Sequence, residues 1–144
     1  MDVHQSIEIA APPERVWPLL VEPEKVKQWY VTLDDFRYVD HRGPGGHIRV
    51  VEHAPGATLD VEFEATRWIE NHGLSLHMTE GNTVRAYDQA WDLDPTPTGC
   101  RFTFEQHVVM PFGVLGQLIG AIGKGTSERH VTEMLGKLKA LAEA

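Results

Sequence analysis

The sequence predicts an α+β fold in which a curved antiparallel sheet wraps around one long C-terminal helix. Three observations predict it. Turn signals recur at Gly43-Pro44-Gly45-Gly46, Ala54-Pro55-Gly56, Asn71-His72-Gly73, Glu80-Gly81-Asn82 and Pro95-Thr96-Pro97-Thr98-Gly99. The segments between them have strand length and alternate apolar with polar residues. Beyond Pro111 no proline follows, and the apolar spacing turns helical.

Val3, Gln5, Ile7 and Ile9 alternate with His4, Ser6 and Glu8, so a half-buried strand opens the chain. Ala11-Pro12-Pro13-Glu14 starts a short helix, with proline in the first turn and an acid near the positive end. Val16, Trp17, Leu19 and Leu20 form its apolar face, and Pro18 keeps it short or kinked. Glu22-Pro23-Glu24 starts a second helix carrying Val26, Trp29 and Tyr30. Six strands follow: Asp34–Asp40, His47–His53, Thr58–Ile69, one marked by Leu74, Leu76 and Met78, Val84–Leu93, and one marked by Phe102, Phe104, Gln106 and Val108. In the third, Leu59, Val61, Phe63, Ala65 and Ile69 share a face by alternation. The order is strand, two short helices, six strands and a long helix.

The last helix, Pro111 to Ala144, has two halves. Val131, Met134, Leu138 and Leu141 recur at steps of three and four. Traced backwards, that stripe reads Ser127, Gly123, Gly120, Gly116 and Gly113, while Leu115, Leu118, Ile119 and Ile122 fall on another sector. Either the helix breaks near Gly123–Gly125, or it runs straight with a bare face toward the sheet. Glycine costs about 1 kcal/mol in a helix interior, so a bare face implies close packing or a space beneath it.

The chain of 144 residues is long enough for one domain, 1–144, around one core. Its net charge of −8 argues against nucleic acid and anionic membrane surfaces as partners. The apolar runs are too short to span a bilayer. The one cysteine, Cys100, allows no intrachain disulfide, and no basic, then apolar, leader opens the chain. These features lead to the expectation of a cytoplasmic protein, monomeric or homodimeric.

Alternation also aims polar residues into the hollow between sheet and helix. Arg67, Tyr87, Gln89 and Gln106 point inward, and Arg85 and Glu52 do so less securely; the parity of the Glu52 strand is ambiguous because Ile48, Val50 and Val51 disagree. Buried polar groups need partners, from the protein or from a ligand. With the inner-face rings Phe63 and Phe104, the bare positions Gly116 and Gly120, and Trp29 at either a pocket entrance or a packed helix end, these residues form the expected ligand-binding set. No catalytic residue is identified. Eight histidines invite a metal, but none has ligand spacing, and His4, His77 and His107 face outward, so no metal and no cofactor are expected. The serines lie outside any nucleophile elbow, and Cys100 reads as a small inert residue.

Ala11-Pro12-Pro13-Glu14-Arg15-Val16-Trp17, Trp29, Thr98-Gly99-Cys100-Arg101-Phe102-Thr103 and Leu138-Lys139-Ala140-Leu141-Ala142-Glu143 resemble the START/birch-allergen-like superfamily. The branch that they resemble most is the bacterial polyketide cyclase/dehydrase-like one, over essentially the whole chain. The resemblance implies a helix-grip fold and an apolar cavity under the last helix. It implies three functions. The first is a binder of a small hydrophobic molecule, polyketide-, isoprenoid- or lipid-like. The second is a cofactor-independent cyclase or dehydratase. The third is an interaction module like the chaperone-activator relatives, using Leu115, Leu118, Ile119 and Ile122. The superfamily has no shared catalytic motif to carry over.

Overall fold

β1 (Asp2–Ile9) alternates as its sequence predicts, with Val3 and Ile9 buried and His4, Ser6 and Glu8 on the other face. The structure, a computed structural model, describes all residues but Pro55 and Phe112, and describes side chains of the last helix from Gly123 onward. α1 (Pro13–Val21) carries Pro13 in its first turn and buries Val16, Trp17 and Leu20. It is short, as Pro18 predicts, and the Glu22 amide closes its end onto the Pro18 carbonyl at 3.1 Å. α2 (Pro23–Trp29) follows at once.

Six strands come next: β2 (Leu33–Tyr38), β3 (His47–Ala54), β4 (Ala57–Ile69), β5 (Gly73–Gly81), β6 (Ala86–Thr96) and β7 (Gly99–Val109). They join β1 in one antiparallel sheet of order β1-β7-β6-β5-β4-β3-β2. β1 therefore leaves the sheet at one edge, and α1 and α2 carry the chain to the other edge. β7 starts hard against the end of β1, and a Cβ at Gly99 would overlap the Ile9 carbonyl, so only glycine fits there.

α3 (Gly113–Glu143) packs against β1, α2 and α1. Its second half buries Val131, Met134, Leu135, Leu138 and Ala142. Polar side chains tie it to the edge strand: Lys139 Nζ donates to the Glu8 carbonyl at 2.8 Å, and the Ala10 amide donates to Glu143 at 2.8 Å. Thr132 and Gln5 bond at 3.0 Å, and Gln5 reaches the Glu128 carbonyl at 2.9 Å. Among the described residues no helix is long and apolar enough to cross a membrane.

The core is aromatic. Trp29 sits edge-on to Trp91 at 5.3 Å and to Phe102 at 5.9 Å, and Trp91 stacks on Phe104 at 6.3 Å. Trp29 is wholly buried, and its indole N–H donates to the Leu19 carbonyl at 2.7 Å. It is therefore a helix-end packing residue and does not stand at a pocket entrance.

Two expectations are corrected, the face of β4 after Ala65 and the placement of Arg85. β4 keeps its predicted face through Ala65, then a bulge between Ala65 and Arg67 shifts the register against β5. A one-residue slip moves every later side chain to the other face. Trp68 consequently turns inward, edge-on to Trp17 at 5.4 Å, and Ile69 is exposed. Arg67 turns outward and pairs with Asp92 at 2.7 Å, and with Ser75 and the Leu74 carbonyl. Arg85 lies just before β6 and is exposed. Of the two alternatives that the sequence leaves for α3, the structure has the unbroken helix, with no break at Gly123–Gly125. The sector formed by Leu115, Leu118, Ile119 and Ile122, and the positions Gly116 and Gly120, lie outside the described side chains.

Candidate functional site

β3 settles the parity that its sequence leaves open. Ile48, Val50 and Glu52 face inward and are buried, whereas Val51 is only half-buried. Glu52 thus enters the hollow next to Tyr87 and Gln89 of β6 and Gln106 of β7, all buried as alternation predicts. Two further residues join them from the irregular segment after α2: Tyr30 and Thr32. No periodicity runs through that segment, so alternation cannot find them; the Trp29-Tyr30 pair at the helix end is the one available signal.

Hydrogen-bond accounting fixes how the cluster is polarised. Trp91 Nε1 donates to Gln89 Oε1 at 2.8 Å. Gln89 Nε2 spends its two protons on the hydroxyl oxygens of Tyr30 and Tyr87, each at 2.8 Å. A hydroxyl has one proton to give, so both tyrosines direct theirs onward. Tyr87 lies 2.9 Å from Glu52 Oε2 and 3.1 Å from Gln106 Oε1, and serves one of them at a time. Tyr30 reaches toward Glu52 at 3.4 Å, and Thr32 donates to Glu52 Oε1 at 3.1 Å. The donors converge on Glu52. Burial nevertheless pushes the Glu52 carboxyl up to about 7, with hydrogen bonds from Tyr87, Thr32 and Tyr30 pulling the other way. Burial, and then the charge on Glu52, hold both tyrosines well above the usual phenol range.

This cluster closes one side of a mostly apolar cavity of about 380 Å³. Glu52, Tyr87 and Gln106 supply its polar wall; Leu59, Val84, Val108, Met110, Gly123 and Ser127 line much of the rest. The volume is near the lower end of the roughly 300–1,000 Å³ typical of small-molecule sites. At Gly123, where the stripe leaves close packing and open space as alternatives, a Cβ would meet nothing within 4 Å. The glycine therefore faces open space and is not a close-packing contact. Gln106 Nε2 makes no hydrogen bond to a described residue. A small void of about 30 Å³ also touches Glu52 and Gln106 and is bounded by His130 of α3, with room for about one water.

The other candidates fall elsewhere. Phe63 borders a void of about 10 Å³ beside Glu52, and stands edge-on to Tyr87 at 5.1 Å. Phe104 and Trp29 belong to the aromatic core. On the outer face of the sheet a wider, open depression of about 520 Å³ runs past His4, Ser75, Asp88, Glu105 and His107. The histidines of that face are engaged with carboxylates, His77 with Asp88 at 2.6 Å and His107 with Asp2. We place the site in the smaller cavity because that one is apolar with a convergent polar end. No group of metal-ligating side chains occurs among the described residues. Cys100 is buried, and burial raises its thiol, so it is poorly suited to act as a nucleophile.

Solved structures share the whole architecture at low identity. A Thermus thermophilus protein superposes with a TM-score of 0.83 at 22% identity, covering 99% of this chain and 97% of its own. A START superfamily protein from Mycobacterium smegmatis gives 0.78 at 15%, covering 97% and 98%. An aromatase/cyclase from a Streptomyces species gives 0.82 at 13%, covering 99% and 93%. No curated protein matches the chain significantly. The curled seven-stranded sheet with its C-terminal helix is the helix-grip fold of the START and birch-allergen-like proteins. Residues 1–143 match the family described as polyketide cyclase / dehydrase and lipid transport, and the chain belongs to that family.

Proposed function

We propose that this protein binds a small, largely apolar molecule between its sheet and α3, with the polar end of the guest against Glu52, Tyr87 and Gln106. One observation carries the reading: an apolar cavity of about 380 Å³ whose polar groups converge at one side, beneath a helix left bare at Gly123. The family description and the fold support it. Fluorescence titration with fused-ring aromatic ligands tests it. Gly123→Leu should fill the space under α3 and weaken binding at least about tenfold, since the guest and the leucine compete for one volume. Equal affinity in both proteins would move the ligand out of this cavity.

A second reading is favoured by one specific feature, an acid poised near neutrality on the cavity wall. Glu52, with its carboxyl pushed up to about 7, has the balance of protonation states that general acid–base work needs. In a cyclase or dehydratase of this kind, ionised Glu52 would take a proton from carbon next to a ketone. A hydrogen bond from Tyr87 or Gln106 would hold the developing negative charge on the ketone oxygen. Turnover of a poly-keto substrate that Glu52→Gln abolishes, while the fold remains intact, would support this reading. Undiminished turnover in that variant would end it.

A further inference from the structure

The chemistry of the cavity wall narrows the class of guest, an inference that rests on the binding reading above. Among the described lining residues Glu52 is the one ionisable carboxyl, and there is no lysine, arginine or histidine side chain to balance a second negative charge. The one positive charge among the described lining groups is the Met1 ammonium at the cavity edge, which donates to the Val108 carbonyl at 2.8 Å and makes no ion pair with Glu52. Beside Glu52 the described wall offers neutral groups: the Gln106 amide, whose N–H makes no hydrogen bond to a described residue, and the Tyr87 hydroxyl, which has two acceptors within reach. We propose that the guest is an uncharged molecule presenting a carbonyl or hydroxyl oxygen to Glu52, Tyr87 and Gln106, and that the cavity discriminates against carboxylates. A carbonyl oxygen accepts from Gln106 or Tyr87. A hydroxyl donates to ionised Glu52, or accepts from it when the carboxyl is protonated.

A carboxylate guest meets a different situation. Two carboxylates sharing a poorly hydrated space cannot both stay ionised, so one must take up a proton. Burial makes Glu52 the group that does so. Binding an anion then requires protonated Glu52, a population that drops about tenfold between about pH 6 and about pH 8 for a group titrating near 7. The other described titratable groups around Glu52 and its cavity are Tyr30 after α2, Tyr87 of β6, His53 beside it along β3, His130 of α3 and the Met1 amine at the cavity edge. Both tyrosines hold their protons across that range.

The test compares naphthol with the matching naphthoate by fluorescence titration of the full chain at about pH 6 and about pH 8. Naphthol should bind with little pH dependence. Naphthoate should bind at least about tenfold more weakly than naphthol at the higher pH, and gain about tenfold on acidification. Glu52→Gln should remove that gain. The wild-type comparison stands alone if the variant folds poorly. Naphthoate binding as tightly as naphthol at about pH 8 would overturn the proposal while leaving the cavity reading intact. A pH dependence that survives Glu52→Gln would overturn it too, because another group would then be responsible. If neither compound binds at either pH, the binding reading fails and this inference fails with it.

Discussion

Taking a carboxyl group out of water costs free energy, and at Glu52 the surrounding donors recover only part of it. The sign of the effect on stability follows. The folded state holds the Glu52 proton up to about pH 7, while the unfolded chain releases it near 4.5, so folding binds a proton between those values. Stability is highest while the group is protonated in both states and falls as pH rises through that window, by on the order of 3 kcal/mol. Glu52→Gln removes the charge but keeps the shape. At about pH 8 the variant should be more stable than the wild type, by about 1–3 kcal/mol in urea unfolding, and the advantage should vanish near pH 4. Tyr87→Phe acts oppositely. It takes the 2.9 Å donor from Glu52 and leaves Gln89 and Gln106 only their longer 3.4 Å bond to each other, so it should cost about 1–3 kcal/mol and weaken an oxygen-bearing ligand, as thermal melts and titration would show.

At the scale of the element, what can be read from the sequence tracks regularity of pairing. β6 and β7 pair residue for residue from Ala86–Val109 to Thr96–Gly99, so alternation correctly turns Tyr87, Gln89 and Gln106 inward. β4 carries a bulge that no residue type announces, so alternation puts the side chains after Ala65 on the wrong face. β3 is ambiguous in sequence because Val50 and Val51 are both apolar, although only Val50 belongs to the core. The glycine stripe of α3 reports a real property at Gly123, but helical periodicity alone does not distinguish an open space from close contact. That space makes a separable prediction. Because nothing opposes a side chain there, Gly123→Leu should raise the stability of the unliganded protein, by about 1 kcal/mol from helix propensity alone, even as it blocks the cavity. A loss of stability in thermal melts instead would mean that the neighbouring turns of α3 leave no room.

Across the whole molecule, the groups with shifted titration divide into two sets with opposite pH dependence. Glu52, pushed up by burial, and His47, raised by its 2.8 Å bond to Asp40, both hold protons more tightly in the folded state. The Glu52 contribution is complete below about pH 4.5 and lost by about 7. That of His47 is complete below about 6.5 and lost as pH rises through its raised folded value. Asp40, Asp2 and Glu143 behave the other way. Asp40 is held low by hydrogen bonds from the His47 backbone and ring, Asp2 by His107, and Glu143 by Lys139 and the Ala10 amide. Their contributions are present above the ordinary carboxylate range and disappear as pH falls through their lowered values. Net charge reinforces the pattern, because acidification from neutrality brings a chain of −8 toward neutrality and relieves self-repulsion. The unliganded protein should therefore be most stable at about pH 5, with the urea midpoint falling on both sides. In Glu52→Gln the acid limb should be unchanged and the alkaline limb shallower. An optimum at or above about pH 7.5 in the wild type would show that Glu52 is ionised without penalty, and both the acid–base reading and the rejection of carboxylates would lose their physical basis.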